Sequence, residues 1–293
     1  MNTTKIIQLN SAVLMLCMFL HVTAFAQELE AYRIYNNKGK QVEFGAMVNQ
    51  LNKNQVILFG ELHNNPICHW MQWELTKACY EKNQNMVLGA EMFETDDQVV
   101  IDEYLSDQIK LDHLKKEAKV WPNFATDYQP LLDFSKEKNV PFIATNTPRR
   151  YASLVSKEGI EGLNSLSVTS KAFLPPLPYE VLQNDSGYAD MRIMMGGHGM
   201  DVELLVAAQA LKDYTMAYNI NRNLSGKGLF IHFNGSFHSQ KFSGIYGYLK
   251  EMNKDTEIGV IAVVEEDSLE YNKDWKGLGD FVIVVPSSMT KTH

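Results

Sequence analysis

Short, uninterrupted apolar runs alternate along this chain with longer stretches that carry apolar residues at helical spacing. The runs are Gln55–Glu61, Met86–Phe93, Pro141–Asn146, Leu229–Phe237, Glu257–Glu265 and Phe281–Pro286. Between them, His69–Lys82, Asp96–Ser106, Tyr128–Lys138, Arg149–Lys157, Met200–Asn221 and Ser243–Asn253 read as helices. Ahead of these, Leu29 to Lys53 reads as a short strand or hairpin about Asn36–Lys40, then a helix from Phe44 to Asn52. Continuous Val, Ile, Leu and Phe runs alternating with helices predict an α/β fold, a mainly parallel sheet flanked by helices on both faces.

The rhythm breaks between Leu163 and Gly199. That stretch contains Pro175-Pro176-Leu177-Pro178, then Asn184-Asp185-Ser186-Gly187, then Gly196-Gly197-His198-Gly199. It is too long for an ordinary connection in an α/β unit and predicts an inserted helical subdomain or lid, spanning about residues 160–200.

The first 26 residues stand apart from the fold. Lys5 is followed by the apolar Ser11–Leu20 and then by Ala24-Phe25-Ala26, the small-x-small pattern of a cleavage site, with Gln27 as the expected new N-terminus. Residues 1–26 therefore read as a signal peptide and 27–293 as one exported domain, periplasmic or associated with the cell envelope. Cys17 follows Leu16 and precedes more apolar residues, so it is no lipid-attachment site. Cys68 and Cys79 fall within one expected helix, too far apart for a disulfide.

A formal charge of −8 and the lack of a basic stripe argue against a nucleic-acid partner. The chain has no P-loop, dinucleotide-binding glycine fingerprint, HExxH or EF-hand loop.

Candidate chemistry gathers where the apolar runs stop. Gly60-Glu61-Leu62-His63 closes one run, Glu91-Met92-Phe93-Glu94 another and Gly235-Ser236-Phe237-His238 a third. Parallel sheets bind ligands beyond their strand C-termini, so these residues converge on one crevice. Glu61 and His63 lie two apart, on one side of a strand, and Glu91 is expected beside them if sequential strands are neighbours. Two carboxylates with His63 and His238 can orient or deprotonate a water or hold a divalent metal. Ser236 lacks the second glycine of a nucleophile elbow, and His232 alternates with apolar residues as a core histidine does. Thr145-Asn146-Thr147-Pro148-Arg149-Arg150 ends a fourth run at an expected helix start, where Arg149 suits a carboxylate or phosphate. In the inserted segment, Tyr188, Met194, Met195 and His198 form a Met-rich stretch with ligand types found on haem iron. No CxxCH motif for covalent haem is present.

Taken in order, Phe59–Pro66, Glu91–Glu94, Ala144–Arg149, Gln209–Ala217 and Gly235–His238 resemble the ChaN family of haem-binding uptake proteins. The superfamily also contains erythromycin esterase, TraB and the Tiki proteases. The resemblance spans roughly Val56 to Leu249. It implies a parallel α/β sheet with a helical subdomain, and a role in haem or iron uptake at the cell envelope. It further implies haem held between two subunits of a homodimer, and outer-membrane haem-uptake machinery as a partner. In the enzymatic branches the positions matching Glu61, His63, Glu91 and His238 carry hydrolytic chemistry. The alternative is therefore an esterase- or metalloprotease-like hydrolase, with Arg149 holding an anionic substrate.

Overall fold

The computed structural model of the chain describes residues 29–196, 201–224, 226 and 228–293. The expected signal peptide, residues 1–26, and His198 lie outside the described residues. Residues 31–293 form one compact unit.

Its centre is a seven-stranded sheet. The strands are β1 (Arg33–Asn36), β2 (Val56–Glu61), β3 (Met86–Glu94), β4 (Phe142–Asn146), β5 (Leu229–Gly235), β6 (Ile258–Glu266) and β7 (Phe281–Pro286). They lie in the order β1-β7-β6-β2-β5-β3-β4. Only β1 runs antiparallel to its neighbour, pairing Arg33 with Val284 and Asn36 with Phe281; the rest of the sheet is parallel. The α/β expectation holds. The expected adjacency of the first two parallel strands does not: β5 enters between β2 and β3 and pairs with both. The chain returns to the middle of the sheet after β4, so sequence neighbours are separated by one strand.

Alternation along each strand divides the core into two layers. Ile57 and Phe59 of β2 face a layer built by α1 (Phe44–Leu51), α2 (Pro66–Lys82), α3 (Gln98–Leu105), α4 (Leu111–Glu117), α5 (Phe124–Asp127) and α6 (Gln129–Lys138). Val56 and Leu58 face the other layer, built by α7 (Arg149–Glu158), α9 (Ser186–Met195), α10 (Val202–Arg222) and α11 (Ile245–Met252), with the short α8 (Val168–Lys171) near its rim. The segment over 160–196 contributes Leu163, Leu174, Tyr179 and Tyr188 to this second layer, in one hydrophobic cluster with Val206 and Leu211 of α10. Both cysteines of α2 are buried free thiols; burial pushes Cys79 up to about 12 and holds Cys68 higher still. Among the described residues no helix is long and apolar enough to cross a membrane.

Candidate functional site

The strand ends deliver two polar half-sites, one from each face of the sheet, and they meet at the end of β5. Glu61 closes β2 on the α2 side, paired in register with Gly235. The turn that follows is fixed by Asn65, whose side chain accepts from the Ile67 and Cys68 amides while Pro66 opens α2. This places His63 back against Glu61, with Nδ1 2.9 Å from Oε1. Glu61 is almost wholly buried (1 % exposed) and is fully engaged: it accepts from the Tyr128 hydroxyl at 2.7 Å and from the Gln72 amide. His69 holds the neighbouring backbone, with Nε2 3.1 Å from the His63 carbonyl oxygen and 3.2 Å from Asp127 Oδ2.

The other half-site comes from the α10 side. Glu91 lies inside β3, three residues before its end, and accepts the Gly235 amide at 2.7 Å. Its other oxygen is 3.1 Å from His238 Nε2. β5 stops at Gly235, shorter than the run to Phe237 suggested, because Ser236–His238 turn into a 3₁₀ helix. That turn swings His238 between Glu91 and Asp213 of α10, to which its Nδ1 is hydrogen-bonded. Asp213 accepts a second bond from the Tyr188 hydroxyl at 2.8 Å, and Gln209, one turn earlier on α10, reaches the same imidazole. Ser236 donates to the Glu61 carbonyl at 2.8 Å, so its hydroxyl serves the turn. Glu91 is thus paired with His238 and the β5 amide, while Arg150 pairs with Asp96 at 2.6 Å.

Gly235 joins the halves. A Cβ placed there would stand 2.7 Å from His63 Nε2 and 3.5 Å from Glu91 Oε2. Only a residue without a side chain lets the imidazole lie against the β5 backbone.

The charges follow from these contacts. Burial opposes protonation of His238, but Glu91 and Asp213 on either side outweigh it and raise the pKa. Glu91 is lowered: burial would raise it, and the charge and hydrogen bond of His238, with His63 and the Gly235 amide, more than reverse this. Asp213 is raised, chiefly by burial. His63 is raised as well, burial being outweighed by the Glu61 hydrogen bond and the nearby Glu91 charge. His232 is a core residue, as its alternation suggested: it is fully buried, bonded to Thr145 and Asn234, and lowered to about 4 by burial.

A cleft of about 660 Å³ opens over the junction. Glu61, His63, Glu91 and His238 line its polar floor, and Met191, Met194, Met195 and Phe237 its apolar side. Met194 is 51 % and Phe237 57 % exposed. His63 has its Nδ1 engaged and its ring edge-on to Trp121, with centroids 4.9 Å apart, which leaves Nε2, beside Gly235, as its unbonded nitrogen. An imidazole held in this way by a carboxylate can accept a proton or ligate a metal. Tyr188 also reaches the cleft, but it is 2 % exposed and commits its hydroxyl proton to Asp213. Arg149 is exposed and lines a second cleft of about 710 Å³, which shares Glu91 and Lys212 with the first. Among the described residues no three or more His, Cys, Asp or Glu side chains are placed to hold a divalent metal, because the carboxylates are already held by Gln72, Tyr128, His238 and a backbone amide.

The sequence reading missed His69, Gln72, Tyr128 and Asn123, whose amide donates to the His63 carbonyl at 2.9 Å, and it took Gln209–Ala217 as part of the family resemblance without naming Gln209 or Asp213 as site residues. Gln209 and Asp213 had a usable signal: two polar residues one turn apart on a helix face otherwise made of Val206, Ala210 and Ala217.

Comparison with known proteins bears on this arrangement. A structure titled as cofacial haem binding to ChaN of Campylobacter jejuni aligns with a TM-score of 0.68 and 19% identity, over 88% of this chain and 98% of that one. A variant of the erythromycin esterase EreC in its open conformation aligns with a TM-score of 0.51 and 10% identity, over 89% and 98%. At these identities the likeness is one of fold. A chloroplast protein of Arabidopsis thaliana, RETICULATA-RELATED 5, is 31% identical over 103 residues, which cover 35% of this chain and 14% of that protein. Residues 47–249 match the family described as "Haem-binding uptake, Tiki superfamily, ChaN", a span that holds β2 to β5 and both half-sites. The chain belongs to the ChaN family of haem-binding uptake proteins, within the Tiki superfamily.

Proposed function

We propose that this protein binds haem as cargo in the cleft above the two half-sites, and does so as an exported protein serving haem or iron uptake at the cell envelope. One observation beyond family membership carries the reading. A cleft of about 660 Å³, within the size range of small-molecule sites, is lined by exposed Met194 and Phe237 together with His63. Thioether and imidazole are both haem-iron ligands, and a Met-lined apolar surface suits a flat ring. His63 meets the usual condition for a metal-binding imidazole, since its other nitrogen is bonded to a carboxylate. Exposure of this apolar side favours a second copy of the chain as the cover over bound haem. The signal-peptide pattern of residues 1–26 supports export, with the outer-membrane haem-uptake machinery as the partner downstream.

The test is a titration of the purified full chain with haem, followed by its Soret band. The expected result is a saturable shift that His63→Ala changes in position and Met194→Ala weakens. No shift at micromolar haem would overturn the reading. N-terminal sequencing of the secreted product should find Gln27 first.

A further inference from the structure

The second cleft, beside the first, has features that haem seated over His63 does not explain. It lies where β4 ends and α7 begins, and its wall includes Asn146, Thr147, Arg149, Lys119 and Lys212. Two of its cations are neutralised: Lys119 reaches Glu94 at 3.0 Å and Asp96 at 3.3 Å, and Arg150 pairs with Asp96. Arg149 from α7 and Lys212 from α10 have no carboxylate partner among the described residues. Pro148 caps α7 without any side-chain bond, and while the Tyr151 amide turns back to the Pro148 carbonyl, those of Arg149 and Arg150, which line this opening, stay uncapped. Independently, Thr147 is 2 % exposed and its hydroxyl has no hydrogen-bond partner, while Asn146 beside it gives its amide to the Glu91 carbonyl. Buried polar atoms are nearly always satisfied in folded proteins, so an orphaned hydroxyl on a cleft wall marks the place of a missing partner.

We infer that this cleft is an oxyanion site, in which a carboxylate or phosphate group takes the Thr147 hydroxyl, the α7 amides, and the charges of Arg149 and Lys212. A hydroxyl donor, backbone amides and two free cations are complementary to anionic oxygens and to little else. Glu91, Glu94 and Asp97 also line the cleft, but Glu91 is held by His238 and the Gly235 amide, Glu94 by Lys119, and Asp97 by the Glu94 amide with Lys119 at 3.9 Å, which limits their repulsion of the guest. The group has two possible sources: a free anion, or a propionate of haem reaching across the shared wall of Glu91 and Lys212, the second resting on the haem reading above.

The experiment is calorimetric titration of the full chain, without haem, with inorganic phosphate and separately with succinate. Saturable binding is expected, weakened about tenfold by Arg149→Gln and by Lys212→Gln, and several-fold by the isosteric Thr147→Val. Lys254→Gln, far along the chain at a surface turn, should leave it unchanged. Absence of saturable binding, or equal weakening by Lys254→Gln, overturns the site. Competition then separates the sources. Displacement of phosphate by haem but not by haem dimethyl ester assigns the site to a propionate; displacement by neither assigns it to a free anion. A protein that binds phosphate here yet gives no Soret shift overturns the haem reading and leaves the oxyanion site standing.

Discussion

A single hydrogen atom at residue 235 separates two arrangements of this site. Gly235→Ala would drive a methyl to 2.7 Å from His63 Nε2, and the half-exposed imidazole is the part free to move. The φ of Gly235 is −58°, ordinary for alanine, so the backbone is not strained. The expected outcome is a stability change below about 1 kcal/mol in denaturant titration, with a haem spectrum displaced like that of His63→Ala. A wild-type spectrum from this variant would remove His63 from the ligand set. The Glu91–His238 pair gives a second prediction at this scale. Glu91 is depressed from its ordinary 4.5, so its contribution is present above that pH and fades as pH falls through its lowered value. His238 is raised from 6.5, so its contribution is complete below 6.5 and fades as pH rises toward about 10. Stability from the pair should therefore be greatest between these ordinary values and decline on both sides. Asp213, raised by burial, works against the acid limb, which makes the variant the deciding comparison. Glu91→Gln should flatten the alkaline limb and cost about 3–5 kcal/mol in chemical denaturation, since it leaves His238 buried with less of its compensation.

At the scale of elements, the helix α9 is held to α10 by an exposed Arg192–Glu203 ion pair and by one buried polar contact. The Tyr188 hydroxyl donates to Asp213, and Asp213 in turn holds His238. Tyr188→Phe leaves the ring in place and removes one donor from a wholly buried carboxylate, a loss of about 1–3 kcal/mol. Hydrogen exchange should locate the loosening in α9, and haem affinity should fall with it because Met194 and Met195 ride on that helix. This contact also marks how far the sequence can be read. Glu61, His63, Glu91 and His238 were legible because each follows an apolar run, where a strand has nothing left to do but deliver a side chain. β2, β4 and β7 come within a residue of their apolar runs for the same reason. Gln72 was not legible, because on a helix a polar residue every three or four positions is also what a solvated face looks like, and Tyr128, in the turn ahead of α6, follows no apolar run. The strand order was hidden for a different reason. Local pattern says that Leu229–Gly235 is a strand, and only tertiary pairing says that it enters between β2 and β3. The short helices α4 and α5, seven and four residues long, fall below the length at which periodicity can be recognised.

At the scale of the molecule, the two half-sites belong to different layers of the protein. Glu61 and His63 are backed by α2 and by Tyr128, just ahead of α6, while Glu91 and His238 are backed by α10. They are joined by the turn Ser236–His238 and by the strand ahead of it, β5, which pairs with β2 through Glu61–Gly235 and with β3 through Ala90–Phe233. Its position has a consequence for the order in which the chain can become a protein. Everything up to residue 224 can be made without joining β2 to β3, since the strand that lies between them has not yet been synthesised. The incomplete chain is left with two facing strand edges joined only through the helical layer of α1 to α6, and long-range closure of this kind is slow. A fragment ending at residue 224 should show no cooperative thermal transition by circular dichroism, and a cooperatively folded fragment would refute this. The strand that completes the candidate site is thus also the one whose arrival first joins β2 to β3, so assembly of the site and closure of the sheet are a single event.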